Sequence, residues 1–464
     1  MTATEGRPPL NGRQRANLNA LALATELRGK IKGEVRFDAG TRAIYAHDSS
    51  NYRQIPFGVV VPKDSEDVVA AIEVCRKHGA PVLPRGCGTS LSGETTNVAV
   101  VVDTSKYMRG ILEVNPDEGY ARVQPGVVRD QLSNMTEERY GQVFAPDTST
   151  HEYATLGGMI GNNSCGVHSV MAGRTSDNIE ELEILLYDGT RMKVGPTSEE
   201  ELERIIGEGG RKGEIYRSLN ELRNRYADLI RQRYPQIPRR VSGYNLDELL
   251  PEKGFNVARA LVGSEGTLVT LLEAKVRLVH SPPYRSLLVL GYPSIYEAGD
   301  HVPEILEHGP IGLEGIDDEL IRDMKLRGMH PKDIPMLPQG KGWLLAEFGG
   351  ETADEAHRKA EEAIDALKES DDPPDMKLFE SADEAQKMWG IREDGLGATA
   401  YVPMEDDHWP GWEDSAVHPE KVGDYLRDLE SSTTGTATRP RSTGTSATVV
   451  STVAWTSTSR AQRA

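Results

Sequence analysis

The chain has 464 residues, of which 38% are hydrophobic and 27% charged, and its formal net charge is −19. That length accommodates two or three domains with sizeable cores. The negative balance argues against a nucleic-acid partner, because phosphate binding needs clustered Lys and Arg. Three cysteines, Cys75, Cys87 and Cys165, form no CxxC pair and no metal framework. They exclude a disulfide-rich secreted scaffold and fit a reducing, cytoplasmic setting. No apolar run is long enough for a transmembrane segment, and the first residues lack the apolar stretch of a signal peptide. Peripheral contact with a membrane stays open.

Residues 1–53 read as an N-terminal helical arm, with helical periodicity from Asn17 to Ile31. From Gly58, GVVVP reads as a short buried strand. Asp64 to His78 reads as a helix with an acidic start, and PVLP as a second strand leading into a glycine loop. VAVVVDTSK is a further strand. A second β/α block runs from Tyr120 to about Leu278 and ends in VTLLEAKVRLV. From Pro282 the texture changes. SLLVLGYPS, GPIGLEGID and GWLLAEFGG read as strands, separated by the helices EAGDHVPEILEH and ADEAHRKAEEAIDALKES. The order of elements predicts an α+β protein, with residues 54–281 as one domain and 282–430 as a second, smaller one. Residues 431–464 are half Ser and Thr with no acidic residue, a composition that predicts disorder.

Two glycine-rich loops stand out. Arg85-Gly86-Cys87-Gly88-Thr89-Ser90 follows the PVLP strand, and glycines there let backbone N–H groups approach a phosphate closely. Alone, this string is as readily a plain turn. Thr155-Leu156-Gly157-Gly158-Met159-Ile160-Gly161-Asn162-Asn163 is a second loop, preceded by Pro146-Asp147-Thr148-Ser149. Two such loops in one domain suit a ligand with a long diphosphate backbone. Neither has the spacing of a Rossmann fingerprint or a P-loop, which disfavours NAD and ATP. Gly263-Ser264-Glu265-Gly266-Thr267-Leu268 is a third element, or simply a turn into the following strand.

Taken together, SNYRQIPFGVVVPKDSEDV, LPRGCGTSLSG, GYARVQPGVV, FAPDTST, TLGGMIGNNSCG, GRTSDNI and GSEGTL resemble the FAD-linked oxidases of the PCMH, or vanillyl-alcohol-oxidase, type. The branch they resemble is that of D-lactate dehydrogenase (cytochrome) and the glycolate oxidase large subunit. The resemblance implies a two-subdomain FAD-binding domain and an α+β substrate-capping domain. It implies that Arg85 and Gly86 to Ser90 wrap the pyrophosphate. Pro146, Asp147, Thr148, Ser149, Thr155, Gly157 and Gly158 would meet the diphosphate and ribityl region, with Asn162, Asn163 and Gly166 continuing that wall. Asp177, Ile179 and Glu265 would lie near the adenosine end. Many relatives have glycine in place of Cys87, where a Cβ costs roughly 1 kcal/mol if φ is positive. Tethered relatives often carry His near the position of Thr89, so the FAD is expected to be non-covalent.

Trp389-Gly390-Ile391-Arg392-Glu393 resembles a WxxRE motif whose arginine holds a substrate carboxylate as a bidentate fork. Arg392 is otherwise a surface helix charge. The lysine that some relatives place on the following strand has no counterpart in Trp412-Glu413-Asp414-Ser415. The implied reaction is oxidation of a 2-hydroxy acid of the D-lactate or glycolate type to the 2-oxo acid. Its electrons would pass to a quinone, a cytochrome or an iron–sulfur partner. The alternatives are an FAD oxidase of another alcohol, or a flavin-binding but catalytically impaired product.

Past YLRDL the family continues with a GHxGDGxxH-like motif that ligates a divalent metal, and often with an iron–sulfur domain. Neither is expected here. Joining the third base of each codon to the first two of the next lets Gly444 to Thr452 encode H-F-G-D-G-C-V-H. Likewise Thr433 to Gly444 permits D-R-Y-G-Y-x-A-A-L-Y-G, and Val453 to Thr458 permits R-V-D-F-D. The tail therefore reads as a frameshifted translation. Resequencing the locus checks this: a single-base slip near codon 430 is expected, and a continuous frame without one contradicts it.

Overall fold

The computed structural model describes residues 19–400, 402–404, 408–433, 440–444 and 451–456. The first sheet has the strand order Glu34–Arg36, Gly58–Val61, Val100–Asp103, Val82–Arg85. Gly58–Val61 and Val82–Arg85 both run parallel to Val100–Asp103. The continuous valine runs follow from that placement, since a parallel strand is covered on both faces and all four residues of GVVV are buried. Helix Ser65–His78 covers this sheet. Asp64 caps it by accepting from the Asp67 amide, Glu66 and Asp67 lie in its first turn, and Arg76, Lys77 and His78 lie in its last. Each charge opposes the partial charge of the helix end beside it.

The N-terminal arm is part of this subdomain. Helix Ala20–Lys30 packs its Leu23 and Leu27 against Val74 and Cys75, and Glu34–Arg36 pairs antiparallel with Gly58–Val61. The buried Asp67 carboxylate accepts from the amides of Lys32, Gly33 and Lys63, each at 2.9 Å, and ties the arm down. The helical arm expected over residues 1–53 thus includes, over residues 19–53, two helices and the edge strand Glu34–Arg36 of the first sheet. Residues 17 and 18 of the expected first helix lie outside the described residues.

A five-stranded antiparallel sheet follows, in the order Ile111–Asn115, Tyr120–Val123, Thr270–Arg277, Ile179–Leu185, Arg191–Val194. Its covering helices are Arg129–Tyr140, Glu199–Glu208 and Gly210–Arg233.

The third sheet has seven strands: Asp375–Phe379, Tyr284–Tyr292, Gly342–Gly350, Gly312–Asp317, Pro440–Gly444, Ser451–Thr456 and His408–Ser415. Leu288 and Leu290 face a core with Ala360, Ala363 and Leu367, whereas Leu287 and Val289 face Met388 and Ile391. That period-two split over two buried faces makes SLLVLG a continuous apolar run. The helix expected over EAGDHVPEILEH is split into Ile295–Asp300 and Val302–Glu307. Pro303 lies at the start of the second piece, where its missing N–H costs nothing.

Within the tail expected to be disordered, Pro440–Gly444 pairs with Gly312–Asp317 and with Ser451–Thr456. Thr and Val suit a strand even where net hydrophobicity is low. Helix Val422–Thr433 also crosses the expected boundary at residue 430.

Candidate active site

A cavity of about 350 Å³ lies where the two N-terminal subdomains meet the third sheet's domain. Its wall includes Arg85, Gly86, Cys87, Gly88, Thr89 and Ser90 from the first loop. The second loop supplies Thr148, Ser149, Thr155, Gly157, Gly158, Asn162, Asn163 and Gly166; Glu265 comes from the third, and Arg392 from the capping side. These sequence-expected residues thus converge on one space.

Close packing keeps the wall thin. A Cβ on Gly86 would lie 2.1 Å from Thr155 Oγ1, so the first two loops touch there. A Cβ on Gly166 would lie 1.1 Å from the Asp147 carbonyl oxygen. Gly88 takes the left-handed turn at φ 75°, while Cys87 is not among the positive-φ residues, so the strain considered for Cys87 does not arise. Cys87 lines the cavity, and burial pushes its thiol pKa up. Asn163 is fully buried at φ 59°; its Oδ1 accepts from the Ser176 amide, and its Nδ2 has no hydrogen-bond partner. Glu265 adopts φ 51°, and burial raises its pKa.

Four expected contact residues lie outside the wall, each held by other bonds. The Pro146 carbonyl accepts from Arg129 Nε at 3.3 Å. Asp177 is chelated by Arg174 through Nε and Nη2, each at 3.2 Å. Ile179 is buried and opens a strand of the five-stranded sheet. Asp147 turns away from the cavity toward His168.

That pair belongs to a chain of alternating charge across the domain seam. His168 donates from Nδ1 to Asp147 Oδ2 at 2.7 Å and from Nε2 to Glu347 Oε2 at 2.9 Å. Glu347 also accepts from Arg285 Nη1 at 3.3 Å and, on its other oxygen, from Trp389 Nε1 at 3.2 Å. The side chains of His168, Asp147 and Glu347 are 17%, 14% and 6% exposed, so their attraction is weakly screened. Burial alone would lower the His168 pKa. The Asp147 charge and the bonds to both carboxylates outweigh it and raise the pKa to about 10. Burial would raise Asp147, but the imidazolium beside it holds its pKa at about 2.

Arg392 crosses the same seam. Its Nε and Nη2 meet the buried Glu314 carboxylate at 2.8 and 3.3 Å, and its Nη1 donates to Ser149 Oγ at 2.5 Å. The fork expected to face a substrate is thus turned on Glu314, with the Nη1 edge at the cavity wall. Glu393, the next residue, also lines the cavity.

Sequence reading missed Arg239, which is buried on the wall and donates to Cys165 Sγ at 2.7 Å and to the Gly166 carbonyl at 3.1 Å. The Arg239-Arg240 pair in an otherwise acidic chain was the available signal. Among the described residues, no group of three or more His, Cys, Asp or Glu is placed to hold a metal ion. No step of the chemistry is assigned to a metal.

Two family descriptions match the chain: an FAD binding domain over residues 56–195, and an FAD linked oxidases C-terminal domain over residues 281–444. The chain is 33% identical over 410 residues to a D-2-hydroxyglutarate dehydrogenase of Pseudomonas putida, covering 86% of this chain and 41% of that protein. It is 27% identical over 378 residues to glycolate oxidase subunit GlcD of Bacillus subtilis, covering 80% of this chain and 68% of that protein. The chain therefore spans about two fifths of the length of the D-2-hydroxyglutarate dehydrogenases of Pseudomonas putida and Escherichia coli. Among solved structures, an alkyldihydroxyacetonephosphate synthase superposes with a TM-score of 0.65 at 15% identity, covering 94% of this chain and 80% of that one. A 4-ethylphenol oxidase from Gulosibacter chungangensis superposes at 0.62 and 14% identity, covering 96% and 83%. These two likenesses show the fold.

The charge chain makes a pH prediction. The folded His168 pKa lies above its ordinary 6.5, so its stabilisation is full below about pH 6.5 and is lost as pH rises through about 10. The thermal stability of the wild type should fall across that window. His168→Asn should cost about 3–5 kcal/mol at neutral pH, because it removes the cation between two buried carboxylates, and should flatten the alkaline decline. An unchanged decline in the variant contradicts the assignment.

Proposed function

The chain belongs to the FAD-linked oxidases of the PCMH type, and from that premise we propose that it holds FAD non-covalently in the cavity and oxidises a 2-hydroxy acid to the 2-oxo acid. The observation that carries this reading is the convergence of three glycine-containing loops and Arg392 on a single cavity. The residues present fit the cofactor. Gly86, Gly157 and Gly166 let the loops pack closely enough to make a backbone wall, since a Cβ there would meet Thr155, Pro125 or the Asp147 carbonyl, and Asn163 Nδ2 is a buried donor awaiting an acceptor. When bound, FAD supplies the hydride acceptor; the protein supplies position and electrostatics.

In this reading Gly86 to Ser90 and Gly157–Gly158 bring backbone N–H groups to the diphosphate. Arg239 and Glu265 close the wall around the rest. Arg392 Nη1 and the Ser149 hydroxyl bind the substrate carboxylate, and Glu314 fixes the plane of the guanidinium from behind. A carboxylate accepts both donors without Arg392 having to leave Glu314. The His168 chain holds the capping domain against the cofactor loops and so keeps water out of the cavity. The substrate class follows from relatives that act on D-2-hydroxyglutarate and glycolate. D-lactate, the simplest 2-hydroxy acid with the same carboxylate and hydroxyl, belongs to the same panel. A quinone, a cytochrome or an iron–sulfur protein then receives the electrons. Among the described residues no helix is long and apolar enough to cross a membrane.

Anaerobic mixing of the flavin-loaded protein with D- and L-2-hydroxy acids tests the reading. At least one is expected to bleach the flavin, and bleaching by simple alcohols or phenols alone contradicts it. Arg392→Lys keeps the charge but loses the fork, and should raise KM about tenfold or more with a smaller change in kcat.

A further inference from the structure

Arg392 and Glu393 end the same helix, Ala382–Glu393, and both reach the turn that carries Ser149 and His151. Glu393 lines the cavity. Its Oε1 lies 4.0 Å from His151 Nε2, close enough for attraction but beyond a hydrogen bond, so the oxygen is open to a donor from the cavity. On its far side, His151 Nδ1 bonds Asp130 Oδ2 at 2.6 Å, and Asp130 accepts from Arg129 Nη1 at 3.0 Å. The His151 ring is therefore oriented by one carboxylate and presented to another. The row of Glu393, His151 and Asp130 leads from the cavity wall into the fold, with side chains 38%, 29% and 19% exposed.

A 2-hydroxy acid carries its hydroxyl on the carbon next to its carboxylate. A cation and a carboxylate on consecutive residues suit those two groups together. We propose that Glu393, backed by His151, accepts the substrate hydroxyl proton. This rests on the reading of the cavity as the site of 2-hydroxy-acid oxidation. In the step, the Cα–H pair leaves as hydride to the flavin and the O–H bond breaks with its proton passing to the Glu393 carboxylate. The electron pair left on oxygen closes the C=O bond. The proton then leaves to solvent from Glu393, the most exposed of the three, while His151 steadies the carboxylate from behind.

Burial raises the Glu393 pKa, opposed by His151 and Arg392 and assisted by Asp394 and Asp147. The bond to Asp130 raises that of His151, against burial and Arg129. Both shifts move these groups toward the range in which a general base is effective.

The test uses the flavin-loaded full chain and the 2-hydroxy acid that bleaches it. Glu393→Gln should slow anaerobic flavin reduction by about 100-fold or more. It should keep the flavin and bind the 2-oxo acid, read from the flavin difference spectrum, at least as tightly as the wild type, since a like charge is removed. Glu393→Asp should recover part of the rate. His151→Asn should lose about tenfold, and the rise of the wild-type rate with pH should flatten in Glu393→Gln. A Gln variant that reduces flavin within about threefold of the wild type overturns the proposal. So does one whose lost rate comes with lost 2-oxo acid binding, because Glu393 then only seats Arg392. If the Gln variant sheds its flavin, a full rate in His151→Asn overturns it instead. A wild type bleached by no 2-hydroxy acid overturns both this proposal and the functional reading, whereas bleaching without dependence on Glu393 leaves that reading intact.

Discussion

His168 sits between Asp147, on the loop before the second glycine stretch, and Glu347, on an interior strand of the third sheet. Asp147 and His168 belong to the cofactor domain and Glu347 to the capping domain, so Glu347 has this partner only when the two domains are seated together. Arg285 and Trp389 also bond Glu347, so three of its about four acceptor sites are filled. A buried ion chain is weak evidence for net stability, because desolvation offsets much of the attraction. Its value lies in register: the charges alternate, and a displaced seam would bury carboxylates without partners. The same seating brings Arg392 to Ser149 and Glu393 to His151, which puts both groups of the proposed chemistry on one turn.

The loops depend on that seating as well. Gly166 carries no side chain because the Asp147 carbonyl occupies the place of its Cβ. Asp147 is in turn fixed by two bonds from His168, one from the ring and one from the backbone amide. Packing, hydrogen bonding and charge therefore converge at residues 147, 166 and 168. A change at any of them is felt at the cofactor wall and at the domain seam together.

Much of the fold was legible because local signals agreed. The run GVVV, the Asp64 cap and the basic end of helix Ser65–His78 all pointed one way, and the Gly86 and Gly157 loops do lie on one cavity. What was not legible was long-range. Asp67, 34 positions from Gly33, ties the arm to the first sheet, and no periodicity reports that. Asp147 and Asp177 looked like ligand contacts because they stand in motif strings, yet His168 and Arg174 hold them behind the wall. Glu314, in a strand that reads as apolar, revealed nothing of its pairing with Arg392. In the Ser/Thr-rich tail, composition did not report the pairing of Pro440–Gly444 and Ser451–Thr456 inside the third sheet, and most of the other tail residues lie outside the described ones.

The most direct test is titration of flavin-free protein with FAD, followed by quenching of flavin fluorescence. The account predicts saturable uptake of one FAD per chain, release of that FAD on denaturation without a covalent adduct, and weakened uptake in Gly166→Ala. Folded protein that quenches no flavin fluorescence, or that binds FAD equally well with a Cβ at position 166, would contradict it.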